Sequence, residues 1–319
     1  MTDKVSKLNL IAAFAAVYFF WGSTFLAIRF AVEAIPPFFM AGVRFAIAGG
    51  ILYAWARFKG AALPTLRQWI PAFVIGTLLL VCGNGGVVLA ERTVPSGLVS
   101  LMVAMVPVYF ALMEWCRPGG SAPGLRVSIG LLVGVMGLLL LVGPANIFGG
   151  SSNIDLKGVA FVTVGSLCWS FGSLYSRTVK IAEHPAMGVA MQTLAAGLVL
   201  LLISILTNES KQLDITAISS KAILSVAYLI VFGSIIGFSA YIWLLQNVKS
   251  TMVATYAYVN PVVAVFLGWI IAGETVSAQT AIAASVILVA VWLITQAKPK
   301  PAPQAVLQTE HQELEASRK

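Results

Sequence analysis

The second half of this chain repeats the residue pattern of the first half, across ten apolar stretches that run from Leu8 to Gln296. Two sets of residues carry the repeat, one spaced 148 positions apart and the other 154. The matching pairs are Trp21 and Trp169, Arg29 and Arg177, Pro37 and Pro185, Gly49 and Gly197, Gly83 and Gly237, Val94 and Val248, Ser96 and Ser250, Val99 and Val253, Pro107 and Pro261, Val108 and Val262, Trp115 and Trp269, and Gly119 and Gly273. Because a five-span unit ends on the opposite side of a membrane from where it begins, its copy must sit upside down. Inverted-topology repeats are a feature of many secondary transporters.

The composition places the chain in a lipid bilayer. Of its 319 residues, 59% are hydrophobic and 10% are charged, and its mean hydropathy is +0.92, so it lacks the polar surface that a soluble protein needs. A helix crosses about 30 Å of hydrocarbon in roughly 20 residues and satisfies its own backbone there. We therefore predict an all-α integral membrane protein with ten transmembrane helices, over residues 9–29, 36–57, 69–90, 95–115, 126–144, 157–177, 185–207, 222–245, 251–272 and 277–296.

These spans divide the chain into four segments. Residues 1–8 form a cytoplasmic N-terminus, 9–145 the first repeat, 157–296 the second repeat, and 297–319 a polar tail that we expect to be a disordered cytoplasmic end. Lys4 and Lys7 precede the first apolar run as they would in a signal peptide, but its match to the sixth span indicates that it is retained.

The basic residues predict the orientation of the ten spans. One side of the membrane carries most of the lysines and arginines in this arrangement, whereas the other carries only Arg92, Lys157, Lys211 and Lys221. The positive-inside rule then places both termini in the cytoplasm. We therefore expect a multi-pass protein of the inner, or plasma, membrane. Since topology already uses most of the positive charge, the formal net charge of +8 requires no nucleic-acid partner.

The sequence offers little for metal or cofactor chemistry. Cys82, Cys116 and Cys168 lie in different spans without metal-ligand spacing, and the only histidines, His184 and His311, are in a loop and in the tail. The chain has no GxxxxGK[ST] phosphate-binding motif. We therefore expect that the protein binds no metal and no cofactor and that it is not an enzyme. A membrane-embedded enzyme or a sensor without solute flux is the alternative, and flux of a labelled solute into proteoliposomes would separate the two.

Five motifs resemble those of the drug/metabolite transporter superfamily, in particular the EamA/RhaT-type exporters and most nearly their YedA-like branch. They are Trp21–Phe25 (WGSTF), Gly42–Phe45 (GVRF), Gly83–Gly86 (GNGG), Pro95–Gly97 (PSG) and Thr255–Val265 (TYAYVNPVVAV). The resemblance covers both halves. It implies an inner-membrane carrier built of two inverted five-helix units, in which the first four helices of each half surround a cavity and the fifth and tenth are scaffold. The family carries amino acids, sugars, purines and drugs, so the resemblance does not name the substrate.

Arg44 is the sharpest candidate for contact with a substrate. It lies eight residues into the second span, at a depth of about 12 Å for a rise of 1.5 Å per residue. A charge near the middle of a span costs about 2.5–3.5 kcal/mol and should face a wet cavity or a partner. The repeat counterpart of Arg44 is the neutral but polar Gln192. An unpaired guanidinium suits a carboxylate-bearing substrate, which it can bind bidentately. Alternatively, Arg44 extends toward the membrane surface or binds free carbonyls of a kinked neighbour.

The acidic residues are expected nearer the membrane surfaces. Glu33, Glu91, Glu114 and Glu274 lie near helix ends. A peripheral carboxylate such as Glu91 or Glu114 could still couple transport to protons.

Two prolines at matching positions are candidate kinks or gates. Pro107 and Pro261 lie midway along the fourth and ninth spans, where each removes a backbone hydrogen bond and leaves a carbonyl free. Interrupted helices at matching places in two repeats point to the binding site of a carrier, although bent helices without a functional role are common in membranes. We expect nearby polar and aromatic residues to line a cavity with Arg44 and Gln192. They are Trp21, Ser23, Thr24, Asn84, Trp169, Tyr256, Tyr258 and Asn260.

Together these features predict a secondary carrier that exports small polar or amphipathic metabolites, amino-acid-like or drug-like, by alternating access. Its partners would be a small-molecule substrate and the lipid bilayer, without nucleic acid, and it would act as a monomer or a homodimer. Facilitated transport and proton antiport both remain open.

Overall fold

The structure is a computed structural model that describes residues 6–116, 124–142, 155–248, 253 and 256–295. The described residues form helices and connecting turns and no strand. We number the membrane helices along the chain: α1 Lys7–Val32, α2 Pro37–Phe58, α3 Leu66–Ala90, α4 Ser96–Val103 continued as Val106–Cys116, α5 Leu125–Val142, α6 Leu156–Ser176, α7 Pro185–Leu206, α8 Ser220–Asn247, α9 Tyr256–Ala272 and α10 Ala278–Thr295.

This architecture confirms the predicted fold class of ten helices in two repeats. Of the described helices, α1, α2, α3, α6, α7 and α8 are long and apolar enough to cross a membrane. The remaining four contain shorter apolar helices, over Ser96–Phe110, Leu125–Gly137, Val259–Ala272 and Ala278–Ala290. The predicted tail, 297–319, lies outside the described residues.

The helix starts follow from local sequence. Pro37 and Pro185 each stand at the first position of their helix, where the missing N–H costs nothing. Thr65 and Gln68 form a reciprocal capping box at the start of α3. Ser219 accepts from a backbone N–H in the first turn of α8. The two halves therefore begin several matching helices by similar means.

Three helices change to π geometry part of the way along. The π stretches are Ala16–Phe20 in α1, Thr77–Asn84 in α3 and Leu229–Phe238 in α8. The π stretches of α3 and α8 occupy equivalent positions in the two halves, because adding 154 to the residue numbers of the first places it within the second. π geometry inside α-helices is rare and often marks functional sites, so these stretches direct attention to the centre of the bundle.

The two mid-helix prolines behave differently. α4 stops at Val103 and resumes at Val106, immediately before Pro107. By contrast, α9 continues as a helix through Pro261. At that level Gly22 of α1 approaches closely, because a Cβ on it would lie 3.3 Å from the Asn260 carbonyl oxygen. Neighbouring helices let membrane helices tolerate proline. Among the described residues, the interruption expected in both halves is thus present only in α4.

The crossing of α2 and α7 is the closest link between the two halves. Gly49 and Gly197, which are repeat counterparts, lie at this crossing. A Cβ added to Gly49 would be 2.6 Å from the Leu194 amide nitrogen, and one added to Gly197 would collide with the Ala46 backbone. Small residues let membrane helices approach this closely. α5 and α10 pack together separately from this crossing.

We expect Gly49→Ala to destabilise the protein, by about 1–3 kcal/mol, because the added methyl group meets backbone that cannot move aside. Gly50→Ala is the matched control, since an added Cβ there meets nothing within 4 Å. Thermal melting of the two purified variants in detergent checks this. Equal melting temperatures for both would contradict the tight crossing.

Candidate functional site

A cavity lies at the centre of the bundle, bordered by side chains from both halves. Its described lining comes from α1, α2, α3, α4, α6, α8 and α9. No described residue of α5 or α10 lines it, as the family resemblance implied for scaffold helices. No described residue of α7 lines it either, although the resemblance implied that the first four helices of each half surround the cavity. The cavity has a volume of about 80 Å³, enough for a few water molecules, whereas small-molecule sites usually enclose about 300–1,000 Å³. The cavity is therefore smaller than most small-molecule sites.

Arg44 lines the cavity and is almost completely buried, at 3% exposed. Its Nε donates to Ser234 Oγ at 2.8 Å, and its Nη1 donates to Asn84 Oδ1 at 3.5 Å. The guanidinium carbon also lies 4.7 Å from the centroid of the Phe45 ring. No carboxylate of the described residues comes within 4.0 Å of its nitrogens. The charge is thus held by neutral dipoles and a ring.

The other N–H donors of Arg44 have no hydrogen-bond partner among the described residues. A guanidinium has five N–H donors, and the described hydrogen bonds use two of them. Gly233 makes room for the group, because a Cβ there would lie 2.8 Å from Nη2. Asn260 also borders the cavity, and its buried Oδ1 has no described hydrogen-bond partner. The cavity therefore combines a cationic group with an unpaired amide oxygen.

Four aromatic rings meet beside the cavity. Trp21 and Trp169, which are repeat counterparts, contact each other edge to face with centroids 5.4 Å apart. The ring centroids of Tyr241 and Tyr256 lie 4.8 and 5.6 Å from the ring centroid of Trp21. The Trp21 indole donates to the Gly233 carbonyl oxygen at 3.2 Å. Such contacts add about 0.5–1.5 kcal/mol each beyond burial. They give the cavity a firm amphipathic wall.

The structure brings together most of the residues expected at a site, but not all. Those that line the cavity are Trp21, Thr24, Arg44, Asn84, Trp169, Tyr256 and Asn260. Ser23 lies outside it, where its hydroxyl contacts Tyr228 Oη at 2.6 Å. Gln192 is buried at the contact with α3, because Gly76 packs against its backbone carbonyl. The side chain of Tyr258 lies outside the described residues.

The two candidate prolines also lie away from the lining. Pro107 directly follows Val106, which borders the cavity. Pro261 faces an apolar groove with Val265 and Trp269 instead. Their gating role stays a prediction.

Sequence reasoning missed Ser234 and Tyr241. Ser234 orients Arg44, and its position corresponds in the repeat to Leu80, which borders the cavity. Tyr241 is wholly buried and its hydroxyl contacts Ser173 Oγ at 2.8 Å and accepts from Trp169 Nε1 at 3.1 Å. Because the place of Leu80 in the lining is known only from the structure, nothing in the sequence marks Ser234 or its contact with Arg44.

The chain matches the model of the EamA-like transporter family over residues 8–143 and 156–296. It is 40% identical over 304 residues to the uncharacterized inner membrane transporter YedA of Escherichia coli (strain K12), covering 93% of this chain and 95% of that protein. The chain belongs to the EamA-like transporter family. It is accordingly a multi-pass transporter of the inner membrane. This agrees with the expectation that it is not an enzyme.

More distant relatives extend the comparison. The uncharacterized transporter YvbV of Bacillus subtilis (strain 168) is 27% identical over 263 residues, which cover 82% of each chain. A protein of known crystal structure matches with a TM-score of 0.65 at 20% identity, over 90% of this chain and 97% of its own. At that identity the likeness concerns the fold.

One end of this transporter is joined across the two halves by carboxylates. We call it the glutamate end, because it holds Glu33, Glu91, Glu209 and Glu274. Glu274 accepts from the Ser96 backbone N–H at 3.0 Å, the Ser96 hydroxyl at 2.7 Å and the Gly97 N–H at 3.2 Å, at the start of α4. A carboxylate is favourable at a helix N-terminus.

Two further contacts join the halves at the glutamate end. Glu209, in the connection before α8, accepts from the Phe38 and Phe39 N–H groups at 2.9 and 3.2 Å, at the start of α2. Lys221 donates to Glu33 at 2.7 Å. The ion pair is about half exposed and so contributes little. The partly buried helix-end contacts of Glu209 and Glu274 are the firmer link.

The turn after α9 positions Glu274. Gly273 ends that helix with a φ of 66°, which favours glycine. The Glu274 N–H then returns to the Gly268 carbonyl oxygen at 3.0 Å. Gly268 leaves space for the carboxylate, since a Cβ there would lie 2.5 Å from Oε2.

We expect Tyr241→Phe to lower thermal stability by about 1–3 kcal/mol, because it leaves the buried Trp169 N–H and Ser173 hydroxyl without this partner. Melting of the purified variant measures the effect. Tyr175→Phe is a matched control, since no hydrogen bond of the Tyr175 hydroxyl is found among the described residues. A wild-type melting temperature for Tyr241→Phe would show that this network does not stabilise the site.

Proposed function

We propose that the protein exports small metabolites that carry a carboxylate or another anionic group, by alternating access of the central cavity to the two sides of the membrane. Arg44 is the observation that carries this proposal. It is a buried guanidinium without a described carboxylate partner, and it borders the cavity between the two repeats. An anionic group entering beside it would gain charge-assisted hydrogen bonds in a low-dielectric site.

The rest of the lining supports a substrate that also has an apolar or amine-bearing part. Trp21, Trp169 and Tyr256 form one wall, and aromatic faces attract both apolar groups and cations. The Asn260 amide oxygen can accept from a donor on the substrate. An amino-acid-like molecule offers both an anionic group for Arg44 and a donor for Asn260.

The contracted volume supports alternating access. A cavity of about 80 Å³ is below the range of about 300–1,000 Å³ typical of small-molecule sites, so loading requires the helices to separate. In inverted-repeat carriers this motion is largely a rocking of one half against the other. The helix-end contacts of Glu209 and Glu274 would then have to break when the glutamate end opens.

The basic-residue pattern supports an orientation with both termini in the cytoplasm and the glutamate end in the periplasm. Exposed lysines such as Lys59 lie at the end opposite Glu33 and Glu91. Cytoplasmic loops of membrane proteins carry the excess of lysine and arginine.

For the orientation, we expect single cysteines near Lys59 and Lys249, on a cysteine-free background, to react with an impermeant thiol reagent only after the cells are opened. Cysteines near Asp155 and Asp214 should react in intact cells, because those positions lie at the glutamate end. Lys249 lies outside the described residues. Labelling of the 59 and 249 sites in intact cells would reverse the proposed orientation.

For the substrate contact, Arg44→Gln should insert normally, since it places at Arg44 the side chain that the repeat uses at Gln192. It should weaken the binding of an anionic or zwitterionic substrate by about 1.5–3 kcal/mol, which is roughly ten- to a hundred-fold or somewhat more in affinity. Arg44→Lys should recover only part of the loss, because an ammonium cannot reproduce the planar fork.

A thermal-shift screen of purified protein against amino acids, nucleosides, organic acids and cationic drugs supplies the ligand for this test. Transport is then measured per folded molecule in proteoliposomes, alongside membrane yield. Wild-type flux with reduced yield for Arg44→Gln would make Arg44 structural and remove it from the site.

A further inference from the structure

Glu91 is a carboxylate without described partners inside the glutamate end. It directly follows α3 and is 0% exposed. Both of its carboxylate oxygens are buried and lack a hydrogen-bond partner among the described residues. Its position near a helix end was expected, but its complete burial was not. An ionised carboxylate in this setting is costly, so the environment favours the protonated form.

The nearest cation does not pair with this carboxylate. Arg29 of α1 donates through Nη1 to the backbone carbonyl oxygens of Glu91, at 3.1 Å, and Val94, at 3.4 Å. It forms no salt bridge with the Glu91 side chain, since the ion pairs found among the described residues lie elsewhere. The Arg29 guanidinium therefore holds the backbone of the turn between α3 and α4 and forms no hydrogen bond or salt bridge with the Glu91 carboxylate among the described residues.

The other charged groups around the turn interact with partners other than the Glu91 carboxylate, or act on it only through their charge. Glu274 faces Glu91 from the turn after α9, and the start of α4 holds its carboxylate. Asp155, just before α6, accepts from the Thr93 hydroxyl at 2.9 Å and from the Lys157 N–H. Arg92 is exposed and acts on Glu209. Of these groups, Glu274 opposes ionisation of Glu91 and Arg29 favours it.

The balance of these effects is set by burial. Burial raises the pKa of Glu91 well above its ordinary value, the negative charge of Glu274 raises it further, and Arg29 lowers it by a smaller amount. A carboxyl whose pKa is raised in one conformation favours that conformation at low pH. This preference is lost as the pH rises through the raised pKa.

Packing alone does not require a carboxylate at this position. The repeat counterpart of Glu91, 154 positions later, is Leu245, which is also buried. The inverted half thus fills the equivalent place with an apolar side chain. A buried acid retained in one half only, beside contacts that close that end, indicates a role beyond filling space.

We propose that Glu91 binds a proton in the conformation seen here and thereby latches the glutamate end closed, so that this end opens when the proton leaves. The inference rests on the proposed alternating access. On opening, the Glu91 carboxylic acid gives its proton to water at that surface and becomes a carboxylate. Arg29 can then pair with the carboxylate and release the carbonyls of Glu91 and Val94. The pH on that side of the membrane would set the fraction of closed transporters.

Infrared spectroscopy tests the proton directly and requires no substrate. In wild-type protein reconstituted in lipid, a carbonyl stretching band of a buried carboxylic acid should be present at neutral pH and should vanish as the pH is raised. Glu91→Gln should remove this band. Glu33→Gln is the matched control, because it removes an exposed glutamate of the same end and should leave the band intact.

A cysteine reporter tests the latch. Val94→Cys on a cysteine-free background places a thiol in the buried turn, and its alkylation rate reports opening. The alkylation rate of a thiol itself depends on pH. We therefore divide the rate measured with Glu91 present by the rate of the same reporter in the Glu91→Gln variant, so that this intrinsic dependence cancels in the ratio. We expect this ratio to rise with pH. Glu91→Leu, which copies Leu245, is the second reference variant should the glutamine variant fold poorly.

Four outcomes would overturn the latch. The carboxylic acid band could be absent from wild type at neutral pH or persist in Glu91→Gln, or the labelling ratio could be independent of pH against both reference variants. A response to sodium at constant pH, without any carboxylic acid band, would assign the site to a cation and likewise reject the proton. Because neither measurement uses a substrate, failure of the latch is distinguishable from failure of Arg44→Gln to weaken substrate binding.

Discussion

The buried guanidinium of Arg44, which has no carboxylate partner among the described residues, is the constraint around which the bundle centre is built. In hydrocarbon, a guanidinium must be surrounded by dipoles or water. Ser234 and Asn84 supply the dipoles, and both lie in the π stretches of α8 and α3. Gly233 supplies the space. Three helices from two repeats therefore have to meet at one level for Arg44 to be stable, and the cavity forms beside that meeting point.

The two repeats share a shape but divide the charges between them. The first half contributes Arg44 and Glu91, and the second half has Gln192 and Leu245 at the equivalent positions. The second half in turn contributes Glu209 and Glu274, which bind helix starts of the first half. Structural symmetry gives the carrier two similar halves, as the proposed rocking motion requires. The asymmetry of charge gives its two ends different chemistry.

The sequence predicts the fold well because lipid imposes strict rules on it. Long apolar runs have to be helices, and a five-span repeat has to be inverted, so the ten helices follow from spacing alone. The repeat also pairs Trp21 with Trp169, although it does not predict the contact between their rings. The burial of Arg44 follows from its depth in the second span. These features depend on position along one helix or on the repeat operation, both of which can be read from one sequence.

What the sequence does not predict depends on rotation and on turns. Ser23 is one residue from Thr24, yet it points to Tyr228 while Thr24 borders the cavity. Gln192 has the right depth but does not border the cavity, and its backbone carbonyl packs against Gly76 of α3. Glu91 is at a helix end, where glutamates are usually exposed, and the turn at Gly273 places Glu274 near enough for its charge to act on Glu91. Each of these outcomes is decided by contacts between distant segments.

The small volume of the cavity has a consequence for measured affinities under the proposed alternating access. With about 80 Å³ of space, a solute would bind only to molecules whose helices have already separated, or it would spend binding energy to separate them. The apparent dissociation constant would then exceed the intrinsic one by a factor equal to the inverse of the fraction of open molecules. Under this proposal a weakly binding solute can still make strong contacts with Arg44, and substitutions that merely loosen the contracted state would appear to tighten binding without touching the solute.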